Sequence, residues 1–168
     1  LGKDRSYGQT GAAATPAAAF EVRGSGEIIA LGLSEIPANC RLAEAIEETL
    51  EVAREAPTWE DAWDRLMVDY GRYHPVHTIN NAVIVALGLL YGQKNFDRSV
   101  SIAVMAGLDT DCNGATVGSI VGAILGVKAL PSDYVEPLHD RLRSAVFGFD
   151  GSAISTLAQR TVALAKGA

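Results

Sequence analysis

Cysteine is nearly absent from these 168 residues: Cys40 and Cys112 are the only two, and no CxxC pair occurs. That excludes a disulfide framework and argues against zinc or dithiol redox chemistry, and it suits a reducing, cytoplasmic compartment. Blocks of positive charge are missing too. The 14 Lys and Arg against 20 Asp and Glu leave a formal net charge of −6, so no basic run offers a footprint for the phosphates of a nucleic-acid duplex. Long apolar runs are lacking, which speaks against a membrane span. No initiator methionine stands at position 1, where Leu1 begins a Gly/Ala-rich stretch over residues 1–26 without a clear apolar period. Lys3 and Arg5 ahead of an Ala-rich run resemble a secretory leader, but Pro16, Gln9, Thr10 and Thr15 make a poor apolar core for one.

What is present is a globular composition, 48% hydrophobic and 20% charged, with the length of about one domain. Apolar residues recur at helical spacing. Between Asn39 and Ala56, Leu42, Ala45, Ile46, Leu50 and Ala53 line one face while glutamates take the other, the pattern of a surface helix. Pro57 ends it, and Thr58 with Asp61 three residues on predicts a capped start for a helix striped by Trp59, Ala62, Trp63, Leu66, Met67 and Tyr70. Both tryptophans read as core. The run TINNAVIVALGLLY from Thr78 to Tyr91 is apolar nearly all round and predicts a buried central helix. Asn95 is placed to cap the next one, which should end at Gly107.

A loop from Leu108 to Asn113 then leads into a helix with Gly114, Gly118, Gly122 and Gly126 every four residues. Glycine costs about 1 kcal/mol in a helix relative to alanine, so the spacing predicts close packing along that ridge. Pro131 stops it, Ser132 is placed to cap a short acidic helix, and Ile154, Leu157, Ala158, Thr161, Val162 and Ala165 stripe a terminal helix. No strand alternation is present. The expected fold class is all-α, with residues 1–26 a poorly defined N-terminal segment and 27–168 one helical body.

Chemistry concentrates in AGLDTDCN, residues 106–113. Carboxylates at i and i+2 are rotated by about 200° on a regular helix and cannot share a face there. In an extended loop Asp109 and Asp111 can converge on one cation, and all-oxygen donors suit Mg²⁺, Mn²⁺ or Ca²⁺ better than zinc. The loop also precedes a helix N-terminus, which attracts phosphate. The plainer reading is a capping turn, in which either aspartate accepts backbone N–H groups. The ligand run and closing glutamate of an EF-hand are absent.

The stretch AVMAGLDTDCNGATVGSIVGAILG, preceded by YHPVHTINNAVIVALGLLYG, resembles the C-terminal part of the ADP-ribosylglycohydrolase family, all-helical enzymes of the dinitrogenase-reductase-activating glycohydrolase type. The resemblance runs from about Tyr7 to the end. It implies a multi-helix orthogonal bundle, two Mg²⁺ ions in the intact enzyme with Mn²⁺ as a substitute, and hydrolysis of the glycosidic bond of ADP-ribosylated proteins or small ADP-ribose conjugates. Asp109 and Asp111 match the family's metal-binding aspartates, ligands that position water and substrate rather than donate protons. Cys112 stands where the commoner motif has a threonine, and Leu108 where it has the second of two glycines. The family's Thr-Asp-Asp motif occurs nowhere in this chain. That absence and the short length lead us to expect a C-terminal fragment, inactive alone and partnered by the missing half of its own domain. Apolar faces of the helices at Thr78–Tyr91 and Gly114–Lys128 would then be exposed.

His77, Asn80 and Asn113 are the candidate substrate-binding residues beside that loop, although a polar cluster at a helix start equally serves capping and buried hydrogen bonds. His74 and His77 flank Pro75 without a third ligand and make a weak metal pair. His139 reads as a surface residue. Two other functions fit the residues: a non-catalytic scaffold that binds ADP-ribose or plays a structural role, and a Mg²⁺-dependent phosphohydrolase on another helical frame.

Overall fold

A computed structural model describes residues 6–11, 15, 17 and 24–167. Among them, residues 6–11 are helical, and much of the rest of 1–26 lies outside the described residues. Regular structure is helical apart from one isolated bridge, Arg141 to Ala153, so the all-α expectation holds. The chain forms two compact units, Leu1–Gly126 and Val127–Ala168.

The first unit contains α1 (Ser25–Ser34), α2 (Arg41–Glu55), α3 (Trp59–Tyr70), α4 (Thr78–Gly92), α5 (Phe96–Met105) and α6 (Thr110–Leu125). Helix α4 touches each of the other five. It buries Ile79, Val83, Ile84, Leu87 and Leu89, each contributing roughly 1.5–3 kcal/mol on leaving water. Val127, in the Gly114–Lys128 span, is 69% exposed, whereas no large apolar side chain of α4 or α6 is exposed. Neighbouring helices of this chain already cover those faces.

Local signals set several boundaries. Thr58 Oγ accepts the Asp61 N–H at 3.1 Å, Asn95 Oδ1 accepts the Arg98 N–H at 2.9 Å, and α3 and α5 start there. Cys40 Sγ accepts the Ala43 N–H at 3.4 Å and caps α2. Trp59 and Trp63 pack against the core, as expected.

The glycine ridge of α6 departs from expectation. A Cβ on Gly114 would meet Val104 at 3.1 Å, but one on Gly122 would meet nothing within 4 Å, and Gly126 is the C-cap with φ 73°. The close approach lies instead between α4 and α5: a Cβ on Gly88 would sit 3.0 Å from the Ser99 carbonyl oxygen, and Gly92 faces the Ser99 side chain even more tightly. Helix α6 is accordingly amphipathic, with Val117, Ile120, Val121 and Ile124 buried and Ala115 and Ser119 exposed.

The second unit holds a 3₁₀ turn at Val127–Ala129, α7 (Ser132–Val135), a second 3₁₀ turn at Glu136–Leu138 and α8 (Ile154–Gly167). Ser132 does not cap α7 but is its first residue, with Pro131 at the N-cap, where the fixed φ of proline already suits the entry. The stripe expected on α8 is at most half-buried: no residue of that helix is buried, Leu157 is intermediate, and Ile154 and Val162 of the stripe are exposed, as is Leu164 beside it. His139 is on the surface with φ 47°.

Candidate functional site

Chain reversal between α5 and α6 requires two consecutive left-handed residues, Gly107 with φ 83° and Leu108 with φ 61°. Leucine in that region costs about 1–2 kcal/mol. Its side chain packs against the core, which offsets the strain. Two cross-links hold the turn. Trp63 Nε1 donates to the Ala106 carbonyl at 3.0 Å, and the Asp109 N–H donates to Asn81 Oδ1 at 3.1 Å.

Helix α6 begins at Thr110, earlier than expected, because Asp109 serves as N-cap with φ −88° and ψ 70°. Its carbonyl accepts the first helical bond, from Asn113 N at 2.9 Å. Its side chain makes no capping bond, so the capping turn is not what this aspartate forms. The carboxylate turns toward Asp111 and Cys112 instead. One donor atom from each of the three residues lies within 4.8 Å of the others. Asp109 and Asp111 therefore converge although Asp111 is already helical, since the non-helical backbone at Asp109 removes the rotation that would separate them. The hydrogen bond to Asp109 and the charges of both carboxylates raise the Cys112 thiol above its ordinary pKa.

Asn81 is the hub of the site. Its Oδ1 accepts both the Asp109 N–H and Asn113 Nδ2, the latter at 2.8 Å. Its amide nitrogen donates to the carbonyls of Pro75 at 2.7 Å and His77 at 2.8 Å. One side chain thus ties the segment before α4 to the start of α6. Asn113 is buried beneath this bridge. Asn81 was not among the residues singled out from the sequence; the available signal was its position one turn after His77, on the same helix face.

His77 caps α4, its Nδ1 accepting the Ile79 N–H at 3.2 Å. A neutral imidazole with Nδ1 occupied in this way carries its proton on Nε2. The ring stacks on Tyr73 with centroids 4.6 Å apart. His74 likewise spends Nδ1 on a backbone group, the Val76 N–H at 3.3 Å. Asn80 is 0% exposed; its amide donates to the His74 carbonyl at 3.2 Å and its Oδ1 accepts from Asn81 Nδ2 at 3.3 Å.

A cavity of about 300 Å³ opens beside the carboxylates. His77, Asn81, Asp109, Cys112, Asn113 and Thr116 form its polar side, and Ile29, Ile36, Leu42, Ile46, Val85 and Leu89 are among its apolar lining. A polar rim over an apolar floor is the usual make-up of a small-molecule site.

The model of the family described as ADP-ribosylglycohydrolase matches residues 2–168. The chain belongs to the ADP-ribosylglycohydrolase family. No curated protein and no solved structure matches it. Membership agrees with the all-helical fold, identifies the chain as an ADP-ribosylglycohydrolase-like hydrolase, and brings a family that is generally metal-dependent. Asp109 and Asp111 fit a divalent cation by donor chemistry, two hard carboxylates pointing to one place. No helix among the described residues is long and apolar enough to cross a membrane.

Proposed function

We propose that this chain carries the Asp109/Asp111 side of a divalent-cation centre that hydrolyses the glycosidic bond of an ADP-ribosyl group. The convergence of Asp111 on Asp109, which lines the cavity, in a chain of this family, carries the reading. Asp109 and Asp111 would hold the ion. A bound cation of this kind supplies Lewis acidity for orienting ribose hydroxyls and polarising water. The remaining work falls to the chain itself. Asn81 fixes the Asp109 backbone and the Asn113 amide, so the carboxylate stays in place as positive charge grows on the anomeric carbon. His77, with Nδ1 fixed by the backbone, has Nε2–H left to donate to a ligand oxygen. Asn113 closes the polar wall. The α6 N-terminus, without a side-chain cap, leaves backbone N–H groups for the diphosphate. Asn80, behind His74, supports the start of α4. The apolar floor limits water to the polar side.

The substrate is an ADP-ribosylated protein or a small ADP-ribose conjugate, and Mg²⁺ or Mn²⁺ is the ion the family resemblance suggests. An exposed free thiol at Cys112 suits a reducing, cytoplasmic setting. Since the chain has no Thr-Asp-Asp motif, the remaining acidic ligands implied by the resemblance would come from outside these residues. The same absence favours a second reading, a non-catalytic scaffold that binds ADP-ribose.

Calorimetric titration of Mg²⁺ or Mn²⁺ and then ADP-ribose separates these readings. Saturable ion and nucleotide binding, both lost in Asp109→Asn/Asp111→Asn, is expected for the hydrolase centre. Nucleotide binding that survives the double substitution would favour the scaffold.

A further inference from the structure

Cys112 makes this donor set unlike one built for Mg²⁺. Asp109 and Asp111 present hard oxygens, but the third atom converging with them within 4.8 Å is a sulfur. Mg²⁺ demands near-octahedral oxygen coordination and gives up its waters reluctantly, and a soft thiol is a poor replacement for one. The sulfur belongs to the cluster by position: it lies within 4.8 Å of a carboxylate oxygen of each aspartate, and Cys112 lines the same cavity as Asp109. Helix geometry holds the trio together, with Asp109 at the N-cap and Asp111 and Cys112 in the first turn.

We propose that the Asp109, Asp111 and Cys112 group selects a borderline, thiophilic divalent ion of the Co²⁺ or Zn²⁺ kind over Mg²⁺. Sulfur binds as thiolate, its proton passing to solvent as the metal–sulfur bond forms. For mixed oxygen and sulfur donors, Co²⁺ and Zn²⁺ lie above Mn²⁺ in the general affinity order, and thiolate widens the gap. The proposal rests on the reading of this cluster as a divalent-cation site and deepens it by naming the ion class.

The test uses the whole chain carrying Cys40→Ser, which leaves Cys112 as the lone thiol and keeps a good N-cap on α2. Co²⁺ is titrated while the sulfur-to-cobalt charge-transfer absorption is followed, and calorimetry gives the affinities for Co²⁺, Zn²⁺, Mn²⁺ and Mg²⁺. The expected result is a charge-transfer band that saturates with Co²⁺, and Co²⁺ and Zn²⁺ binding at least about tenfold tighter than Mg²⁺, or about 1.4 kcal/mol. Adding Cys112→Thr should abolish the band and erase most of that preference while Mg²⁺ binding is kept or improved. Co²⁺ binding without the band, or an unchanged Co²⁺ to Mg²⁺ ratio in Cys112→Thr, would overturn the sulfur ligand and leave a divalent-cation site standing. Failure of all four ions to bind a chain shown by circular dichroism to be folded would overturn both this proposal and the metal-centre reading beneath it.

Discussion

Helices α4 and α8 each carry an apolar stripe, yet they are treated in opposite ways. Around α4, five helices leave Ile79, Val83, Ile84 and Leu87 with no exposed surface. In the unit Val127–Ala168, no residue of α8 is fully buried, Leu164 is 76% exposed and Phe147 is fully exposed. That unit is held by polar contacts. Asp140 accepts the Ser155 N–H at 2.8 Å and the Ser155 hydroxyl at 2.6 Å, Arg143 pairs with Asp150 at 3.5 Å, and Arg160 lies 5.4 Å from the Phe149 ring centre. Exposed ion pairs contribute only about 0–1 kcal/mol, so the difference teaches that stability resides in the unit containing the candidate site.

The sharpest way to break this comparison is a matched truncation. Leu87→Ala should cost about 3 kcal/mol through lost burial and a residual cavity, whereas Leu164→Ala, the same chemical change, should fall within about 0.5 kcal/mol. Urea unfolding of the two variants measures both, and equal losses would erase the distinction between units. Next in size is Asn81→Ala, which leaves the Asp109 N–H and the Asn113 amide without their acceptor and should cost about 1–3 kcal/mol. Thermal unfolding reads that loss, and calorimetry should show weaker divalent-ion binding in the same variant, since α4 would no longer hold the turn.

A third comparison lies at Leu108. At an ordinary helical site alanine is more stabilising than glycine, but φ 61° reverses the order. Leu108→Gly should therefore be more stable than Leu108→Ala by about 1 kcal/mol, measured by chemical denaturation of the pair. The smallest effect belongs to the second unit and to pH. Hydrogen bonds from the Ser155 hydroxyl and N–H hold the Asp140 carboxyl below its ordinary value. A lowered folded pKa stabilises fully above the unfolded value and is lost as pH falls through the folded one, so local order at the start of α8 should weaken below about pH 4. An NMR titration of Asp140 checks this, and Ser155→Ala should return the carboxyl toward the ordinary range.

Much of the first unit was legible because its signals are local. Thr58 and Asn95 cap within three residues, the apolar run of α4 predicts enclosure, and the spacing of Asp109 and Asp111 is readable wherever the backbone leaves the helix. What escaped depends on partners distant in sequence. Asn81 reaches Asp109 across 28 residues, and no local pattern marks that bond. The α6 glycines form a visible period, but whether a neighbour approaches each of them is decided by α5, which faces Gly114 and Gly118 and leaves Gly122 clear. The same limit applies to α8, since periodicity reports that a face is apolar and only the fold decides whether it is covered.

The indole of Trp63 donates to the carbonyl immediately before the Gly107–Leu108 turn, which gives the molecule its own optical gauge. Any ligand that shifts the backbone ahead of Asp109 must lengthen or shorten that bond and so change the tryptophan emission. With Trp59 the only other indole in the chain, a Trp59→Phe variant would report occupancy of the carboxylate site by fluorescence alone, with no dye attached.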